Sequence, residues 1–450
     1  MKNLAIILCL AAACQDDPAP LVVWTPGTTY PSDSSKRLRG MLDLRGLIHA
    51  HSPYSHDACD GKPLIDGQPD PVCMADLRRG LCQSKHDFVM LTDHSESGHA
   101  TPYPQVLLYD SELGDTLVER AERPVASWMN CDDSKLIVMA GMESGMMPVG
   151  LEHHIDARYN RPPSAEAAQA FKDAGAVVLL QHTEDWSVDE LSELPIDGFE
   201  MYNLHNNTLV SADIVLEMLF RVLEGRLGLP HPDLFLVPFV SEDPRYLERW
   251  SKVLARGHKR VGTMGTDSHR NTFEAKLADG ERIDSYRRMM IAFSNHLLVR
   301  PEADGSWDDR HLKDALRAGR LYGVFEMLGY PQGFDFHAAD SAGIMAEMGD
   351  ELSLANSPTL TVKRPELRHL DATLEAPIIT ARLLLATEEG WLEVAKAKGD
   401  LSFTPSQPGA YRAEIRIRPR HLRQDLGHYD QQSLTGDMVW VYANPIYISP

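Results

Sequence analysis

The stretch Asp43-Leu44-Arg45-Gly46-Leu47-Ile48-His49-Ala50-His51-Ser52 has the pattern of a buried β-strand that ends in two histidines. Side chains at positions i and i+2 of a strand leave the same face, so we expect both imidazoles to point to one place. Neutral imidazole is the commonest nitrogen ligand for zinc, iron and related metals. The pair therefore predicts a metal site at the end of this strand.

Apolar runs that end in a His, Asp or Glu residue recur along the chain, and helical patterns separate many of them. The helical patterns include residues 164–174, 212–223 and 309–318. Strands that alternate with helices favour a parallel sheet, and this many repeats favour a barrel whose active site lies at the carboxyl ends of its strands. The further apolar runs are at 86–94, 135–140, 176–182, 198–203, 234–240 and 258–265.

The length and charge of the chain limit its architecture and its partners. A chain of 450 residues is too long for one small core, which predicts two domains. The 44 Lys and Arg residues stand against 65 Asp and Glu residues, and this net charge of −21 disfavours nucleic-acid binding through a basic surface. An anionic small-molecule substrate would need a local source of positive charge, which bound metal ions can supply.

Residues 1–14 have the features of an export signal. A short positive start precedes an apolar run, which is too short to span a bilayer, and three alanines that lead to Cys14. This pattern resembles a bacterial lipobox, so we expect a periplasmic or cell-envelope lipoprotein held at the membrane only by a lipid anchor on Cys14; secretion after Ala13 is the alternative. Residues 15–38 are rich in Pro, Asp, Ser and Thr, which predicts a flexible tether.

Four cysteines follow Cys14 in the expected mature domain, namely Cys59, Cys73, Cys82 and Cys131. Their even number in an oxidising compartment predicts two disulfides, and all three pairings remain open. Free buried thiols are the alternative.

The tail of the chain, residues 328–450, has a different pattern from the part before it. Short alternating segments separated by Gly, Pro and Asp predict a small antiparallel β-domain of the sandwich kind. This domain either packs on the rim of the barrel or adds an aromatic side chain to a substrate pocket. The predicted strands lie at 359–362, 378–385, 391–395, 411–417 and 438–442.

A series of motifs in the first part of the chain resembles the polymerase and histidinol phosphatase (PHP) superfamily. The motifs are His49-Ala50-His51-Ser52, Leu91-Thr92-Asp93-His94, Gly141-Met142-Glu143, His154-Ile155-Asp156-Ala157, Leu180-Gln181-His182, Glu200-Met201-Tyr202-Asn203 and Gly265-Thr266-Asp267-Ser268-His269. The resemblance implies a distorted (β/α)7 barrel over residues 39–327 that holds two or three divalent ions, Zn, Mn or Fe. The close of the tail is similar to exported CehA-like PHP hydrolases, which carry a β-domain after the barrel.

The resemblance also implies which side chains hold the metals. One ion would be held by His49, His51, Glu143 and Asp267, and a second, bridged by Glu143, by His154 and His182. His94 and His269 would hold a third if one is present. The superfamily also places an Asp or His shortly after the first motif, where His56 and Asp57 are both candidates and Asp57 is favoured. His154 aligns with the superfamily better than its neighbour His153 does. The remaining histidines, His86, His99, His205, His231 and His258, are expected to be exposed, capping or core residues.

Other polar residues near these motifs are candidates for catalysis or substrate binding. Asp93, or a spare histidine near the cluster, is a candidate proton donor to the leaving group. Glu200 and Asn203 are expected to orient ligands or substrate. Arg270 and Arg158 follow ligand motifs and could grip an anionic phosphate.

The predicted function is a metal-dependent phosphoesterase. A water that bridges two divalent ions loses its proton near neutral pH, and the resulting hydroxide is the expected nucleophile. Several cations suit a phosphoryl centre because each can meet a different oxygen. The same cluster could hydrolyse carboxylic esters, carbamates or amides, and a metal-stabilised binding module without catalysis is the third hypothesis.

Overall fold

A computed structural model of the chain describes residues 22–33, 37–95, 100–210, 212–223, 228–427 and 435–450. The predicted signal, Cys14 and His99 lie outside these residues. No described helix combines the length and the apolar character that crossing a bilayer requires.

The protein is a mixed α/β structure with one large mixed sheet and smaller antiparallel sheets. The strand Met41–Ala50, which carries the first histidine pair, lies at the centre and is buried on both faces. It pairs in parallel with Phe88–Leu91 on one side and with Val261–Ser268 on the other. Two more parallel strands flank these, Ser134–Gly141 and Gly198–Asn203. Such burial on both faces explains the continuous apolar runs in the sequence.

Several strands of the large sheet run antiparallel to their neighbours, which corrects the expectation of a parallel sheet. One of them, Ser294–Val299, pairs with Met41–Ala50 itself. Met147–Leu151 pairs with Ser134–Gly141, and Val177–Leu179 pairs with Met147–Leu151. The amide of Leu180 then donates to the Gly198 carbonyl at 3.1 Å, and the amide of Glu200 donates to the Leu180 carbonyl at 2.9 Å. Backbone hydrogen bonds thus connect Leu180, just after the strand Val177–Leu179, to the strand Gly198–Asn203.

Most predicted helices and strands lie where the sequence places them, but residues 234–240 do not form a strand. This run forms two 3-10 turns, Pro232–Leu234 and Val237–Val240. Proline has no backbone N–H to donate to a neighbouring strand, so Pro232 and Pro238 disfavour strand pairing here. Among the described residues the α-helices are Pro71–Gln83, Ala165–Asp173, Val188–Glu193, Leu204–Val210, Ala212–Leu223, Pro244–Ala255, Tyr286–Met290 and Asp309–Arg317. The short turn Ala58–Gly61 contains two left-handed residues, Cys59 and Asp60, and is not a regular helix.

The C-terminal β-structure is joined to the large sheet by backbone pairing. Leu321–Val324 pairs with Met438–Ala443, so the sheet continues across the boundary predicted at residue 328. All five strands predicted for the tail are present. The remaining strands are Arg37–Leu38, Leu64–Ile65, Gln68–Pro69, Thr116–Arg120, Arg123–Cys131, Ser294–Val299, Pro331–Gln332, Asp335–Ala339, Met345–Glu347, Glu351–Ser353, Thr359–Lys363, Glu366–Leu367, Ile378–Thr387, Gly390–Ala397, Leu401–Phe403, Gly409–Arg418 and Ile446–Ser449.

Residues 22–33, which the sequence assigns to a flexible tether, lie against the C-terminal part of the chain. The amide of Trp24 donates to the His369 carbonyl at 3.0 Å, and its buried indole packs edge-on against the His421 ring. Tyr30 is also buried and packs edge-on against Tyr330. Burial of these two large rings stabilises an ordered path that a composition rich in Pro and Thr does not predict.

Two disulfides form, as the sequence predicts, and the structure selects one of the three pairings. Cys59 bonds to Cys73 and Cys82 bonds to Cys131. Both bonds involve the helix Pro71–Gln83, which they join to the loop before it and to the strand Arg123–Cys131.

Candidate metal centre

Eight of the nine side chains predicted as metal ligands converge at the carboxyl ends of the central strands. These residues are far apart in the sequence. They meet because the strands Met41–Ala50, Ser134–Gly141 and Val261–Ser268 end close together. The converging residues are His49, His51, Asp57, His94, Glu143, His182, Asp267 and His269.

The backbone at three of these residues departs from regular strand geometry. His49, His182 and Asp267 have positive φ angles of 67°, 49° and 51°. The strand pairing shifts register on either side of His49, and again between Gly265 and Ser268. Bulges of this kind redirect side chains, and each left-handed residue costs on the order of 1–3 kcal/mol. The two imidazoles of the first motif therefore meet through a bulge, and the simple alternation of a strand does not account for their convergence.

The first ligand group consists of His49, His51, Glu143 and Asp267, whose ligand atoms all lie within 4.8 Å of one another. The Nε2 atom of His49 is 3.2 Å from Oδ1 of Asp267. The Nε2 atom of His51 is 3.3 Å from Oε2 of Glu143. All four residues are buried. Two imidazoles and two carboxylates at this spacing can surround one divalent ion.

The second ligand group contains Asp57, His94 and His269, together with His51. Oδ2 of Asp57 lies 3.1 Å from Nε2 of His269 and 3.3 Å from Nε2 of His94. His56, the alternative to Asp57 in the sequence, is exposed, with its ring centroid 5.0 Å from that of His94. The side chain that joins the group is thus Asp57.

Glu143 belongs to the first ligand group and also contacts His94 and His182, which lie outside it. Its Oε2 atom faces His49 and His51, and is also 3.5 Å from Nδ1 of His94. Its Oε1 atom lies 3.0 Å from Nε2 of His182. One carboxylate therefore reaches all parts of the cluster, as a bridging ligand must.

His154, the ninth predicted ligand, belongs to neither group among the described residues. Its Nε2 atom is 2.8 Å from the Thr101 carbonyl oxygen, and its ring packs edge-on against Tyr103. The residue follows the end of the strand Met147–Leu151, where the chain turns toward residues 100–104. The neighbouring His153 is exposed.

Buried atoms without a hydrogen bond indicate that the cluster could hold a metal. In His49, His51 and His269 the Nδ1 atom has a protein partner, namely Glu200, Ser55 and the Asp267 carbonyl. The Nε2 atom of each, like Oδ1 of Asp267, is buried without a hydrogen bond. Such atoms are costly to bury unless something satisfies them, and bonding at Nδ1 leaves the Nε2 lone pair for a cation. These residues could therefore hold metal ions.

The carboxylates of the cluster carry the charge that cations require. Burial raises the pKa of Asp267, but the imidazoles of His49 and His269 more than offset this, and the pKa lies well below its usual range. The pKa of Glu143 is likewise lowered, against burial, by His49 and His182. Ionised carboxylates among buried imidazoles attract cations, and a metal ion replaces the protons that the imidazoles would otherwise hold.

Glu200 and Asp93, the candidate catalytic residues, lie behind the ligands. Oε1 of Glu200 is 2.6 Å from Nδ1 of His49, and Oε2 accepts from the His182 amide at 3.1 Å. Gly265 permits this approach, because a Cβ there would come within 1.8 Å of Oε1 of Glu200. Asp93 accepts from the amide and the hydroxyl of Ser52 at 2.6 and 2.7 Å. Both carboxylates thus bond to residues of the ligand motifs and help to position them.

Of the three predicted substrate-binding residues, Asn203 alone contacts the cluster. Its Nδ2 atom donates to Oδ2 of Asp267 at 3.3 Å and to Oε2 of Glu200 at 3.2 Å. The Nε atom of Arg270 lies 3.1 Å from Oδ2 of Asp76, in the wall of a cavity beside the helix Pro71–Gln83. Arg158 is exposed and bonds to the neighbouring Tyr159 hydroxyl. These two arginines therefore do not face the ligand atoms.

Sequence reasoning missed several residues that contact ligands, among them Ser55, Glu184 and His205. Glu184, two positions after His182, has Oε1 at 3.4 Å from Nδ1 of that imidazole. His205, which the sequence assigns to the ordinary histidines, has its ring 5.6 Å from the ring of His269. Burial lowers the pKa of His205, and the opposing effect of Asp267 is smaller. An acidic residue near a ligand histidine is a usable sequence pattern, but nothing local marks His205.

The contact between Glu200 and His49 gives a direct test of the metal centre. We expect Glu200→Gln to weaken metal affinity by about 10- to 100-fold, because partners of metal-bound histidines contribute that much. Competition with a chelating dye would measure the affinity. Glu193→Gln, at an exposed carboxylate, is the control and should bind metal like the wild type. Equal affinities of the two variants would contradict this role of Glu200.

The convergence of these side chains is what makes the site a candidate metal centre. Imidazole and carboxylate ligands accept Zn, Mn and Fe alike, so the ligand set does not select one metal. No protein-family model, curated protein or solved structure matches this chain.

Proposed function

We propose that the protein is a metal-dependent phosphoesterase of the PHP type. The observation that carries the proposal is the convergence of two adjacent ligand groups, in which buried atoms of His49, His51, Asp267 and His269 make no hydrogen bond. Divalent ions held there would supply a water nucleophile at neutral pH and polarise an oxygen of the substrate. No Ser or Cys nucleophile is then required.

We also propose that the central strands form a distorted (β/α)7 barrel. The pairings from Met41–Ala50 through Ser134–Gly141 to Val177–Leu179 support this, and so do those from Gly198–Asn203 back to Met41–Ala50. The hydrogen bonds between Leu180 and Gly198 and between Glu200 and Leu180 would close the ring. Ligands at the carboxyl ends of the strands fit this architecture.

Different residues would meet the substrate and position the metal ligands. His49 and His51 have no exposed side-chain surface, whereas the side chains of His94 and His182 are 28% and 30% exposed. The substrate would therefore approach from the side of His94 and His182. Glu200 fixes the ring of His49, and Glu143 keeps the ligand groups at a constant separation.

Two adjacent ligand groups favour a phosphoryl substrate over a carbonyl one. A phosphoester presents several non-bridging oxygens, so that neighbouring cations can each meet one and share the developing charge. Cations at this place would also attract an anionic substrate to a chain with a net charge of −21.

One observation favours a second candidate, the hydrolysis of carboxylic esters, carbamates or amides. The sequence suggests Arg158 and Arg270 as phosphate contacts. In the structure Arg158 bonds to Tyr159, and Arg270 lies against Asp76. A carbonyl substrate needs no such contacts. The choice between the two candidates is therefore a matter for direct assay.

We expect the metal-loaded protein to hydrolyse an aryl phosphomonoester or phosphodiester and to lose this activity with a chelator. Inorganic phosphate should inhibit competitively, because it would meet the same cations as the substrate. The assay compares aryl phosphoesters with aryl acetates and carbamates after loading with Zn, Mn or Fe. Rapid cleavage of acetates or carbamates, with no phosphoester cleaved and no inhibition by phosphate, would replace the phosphoesterase by the second candidate.

We further propose that the protein is exported. The two disulfides, Cys59–Cys73 and Cys82–Cys131, support this, because such bonds persist mainly in oxidising compartments. Mass spectrometry of the mature N-terminus would test whether Cys14 carries the expected lipid.

A further inference from the structure

The start of the helix Leu204–Val210 carries four consecutive polar residues, of which three are engaged by the protein. Asn206 and Asn207 donate from their side-chain amides, and Thr208 donates from its hydroxyl. The acceptors are the Tyr246 hydroxyl at 3.2 Å, the Phe239 and Ser241 carbonyls at 3.1 Å each, and the His205 carbonyl at 2.6 Å. The bonds from Asn206 and Asn207 join the turn to distant residues, and none of the bonds uses the side chain of the fourth residue, His205.

The imidazole of His205 differs from its neighbours because it makes no hydrogen bond to another described residue. Within the described part of the chain neither ring nitrogen makes a hydrogen bond, although the side chain is half-buried. Its ring faces the metal centre at 5.6 Å from the ring of His269. An imidazole half-buried without a protein partner beside an open site has hydrogen-bonding capacity left for a ligand.

The position of His205 is fixed by a residue that also contacts the metal centre. Oδ1 of Asn203 accepts from the amide of Asn206 at 2.9 Å, while Nδ2 of Asn203 donates to Oδ2 of Asp267 at 3.3 Å. One side chain thus holds both the start of the helix and a ligand carboxylate. The distance from His205 to the ligand atoms is therefore set by the fold, as a substrate contact requires.

We propose that His205 contacts the substrate, through a hydrogen bond to an oxygen of the group that is hydrolysed; this rests on the proposed hydrolase function. His205 belongs to neither ligand group within the described chain, so the metals do not need it. The three bonded neighbours anchor the helix, so the fold does not need it either. The ligand would be an oxyanion-bearing ester, which an imidazole beside cations can orient.

The test compares His205→Ala and His205→Gln with the wild type, all loaded with metal. We expect His205→Ala to keep its metal content and thermal stability, and to bind inorganic phosphate about tenfold more weakly in calorimetry. The kcat/KM for the ester that the wild type cleaves should fall by about 10- to 100-fold. His205→Gln, which keeps an amide donor, should recover part of both losses. His258→Ala is the matched control, because His258 lies before the strand Val261–Ser268, at the end opposite to the ligands.

Each outcome decides the proposal. Phosphate affinity and kcat/KM equal to the wild type in His205→Ala would overturn it, and so would loss of metal in that variant, which would make His205 a ligand. If the wild type cleaves only carboxylic esters and binds no phosphate, the phosphoesterase function fails. The contact is then decided by kcat/KM for those esters, with a fall of about tenfold supporting it and an unchanged value overturning it.

Discussion

Replacement of His49 by alanine is expected to remove metal from the first ligand group and to lower kcat/KM by more than about 100-fold. His49 supplies a buried Nε2 atom without a hydrogen bond, 3.2 Å from Oδ1 of Asp267. Its loss also leaves the carboxylate of Glu200, which lies 2.6 Å from Nδ1, buried without this partner. Elemental analysis of the purified variant, together with steady-state kinetics, would measure both effects.

A matched histidine outside the cluster separates loss of the ligand from general damage. His258→Ala should retain the metal content and the turnover of the wild type, because no ligand of the cluster contacts His258 among the described residues. Full metal content and full turnover in His49→Ala would disprove the assignment of the first ligand group.

Removal of the Cys82–Cys131 disulfide by paired serine substitutions is expected to lower the free energy of unfolding by about 4 kcal/mol. This bond joins residues 49 positions apart, whereas Cys59–Cys73 joins residues 14 positions apart. A shorter loop restricts the unfolded chain less, so loss of the second bond should cost about 3 kcal/mol. Denaturant unfolding of the two double variants would measure the difference.

For metal binding we expect the opposite order, with the larger effect from loss of the Cys59–Cys73 disulfide. Cys59 lies two residues after the ligand Asp57, and its bond to Cys73 ties that loop to the helix Pro71–Gln83. Its removal should weaken metal binding, while removal of Cys82–Cys131 should leave the metal content unchanged. Free thiols in the denatured, unreduced wild type would contradict both expectations.

Sequence patterns predicted the parts of the fold that depend on local burial. The apolar runs at residues 135–140 and 198–203, and all five segments of the tail, lie in strands of the structure. The strand predicted at residues 234–240 was wrong because apolar content alone cannot distinguish a strand from a buried turn. The prediction of a flexible tether was wrong at Trp24 and Tyr30, because the residues that pack against them are far away in the sequence.

By itself the sequence determined the residue types of the candidate metal centre and the number of disulfides. Eight of nine expected ligands converge because they lie at the carboxyl end of a strand or in the segment after it, and parallel strands end at one edge of a sheet. Only the tertiary structure decided that Asp57 and not His56 joins the cluster, that His154 turns to Thr101, and that His205 faces His269. These choices depend on bulges, positive φ angles and contacts between distant segments. A local pattern cannot encode them, because the direction of a side chain after a strand ends is set by the packing of the chain around it.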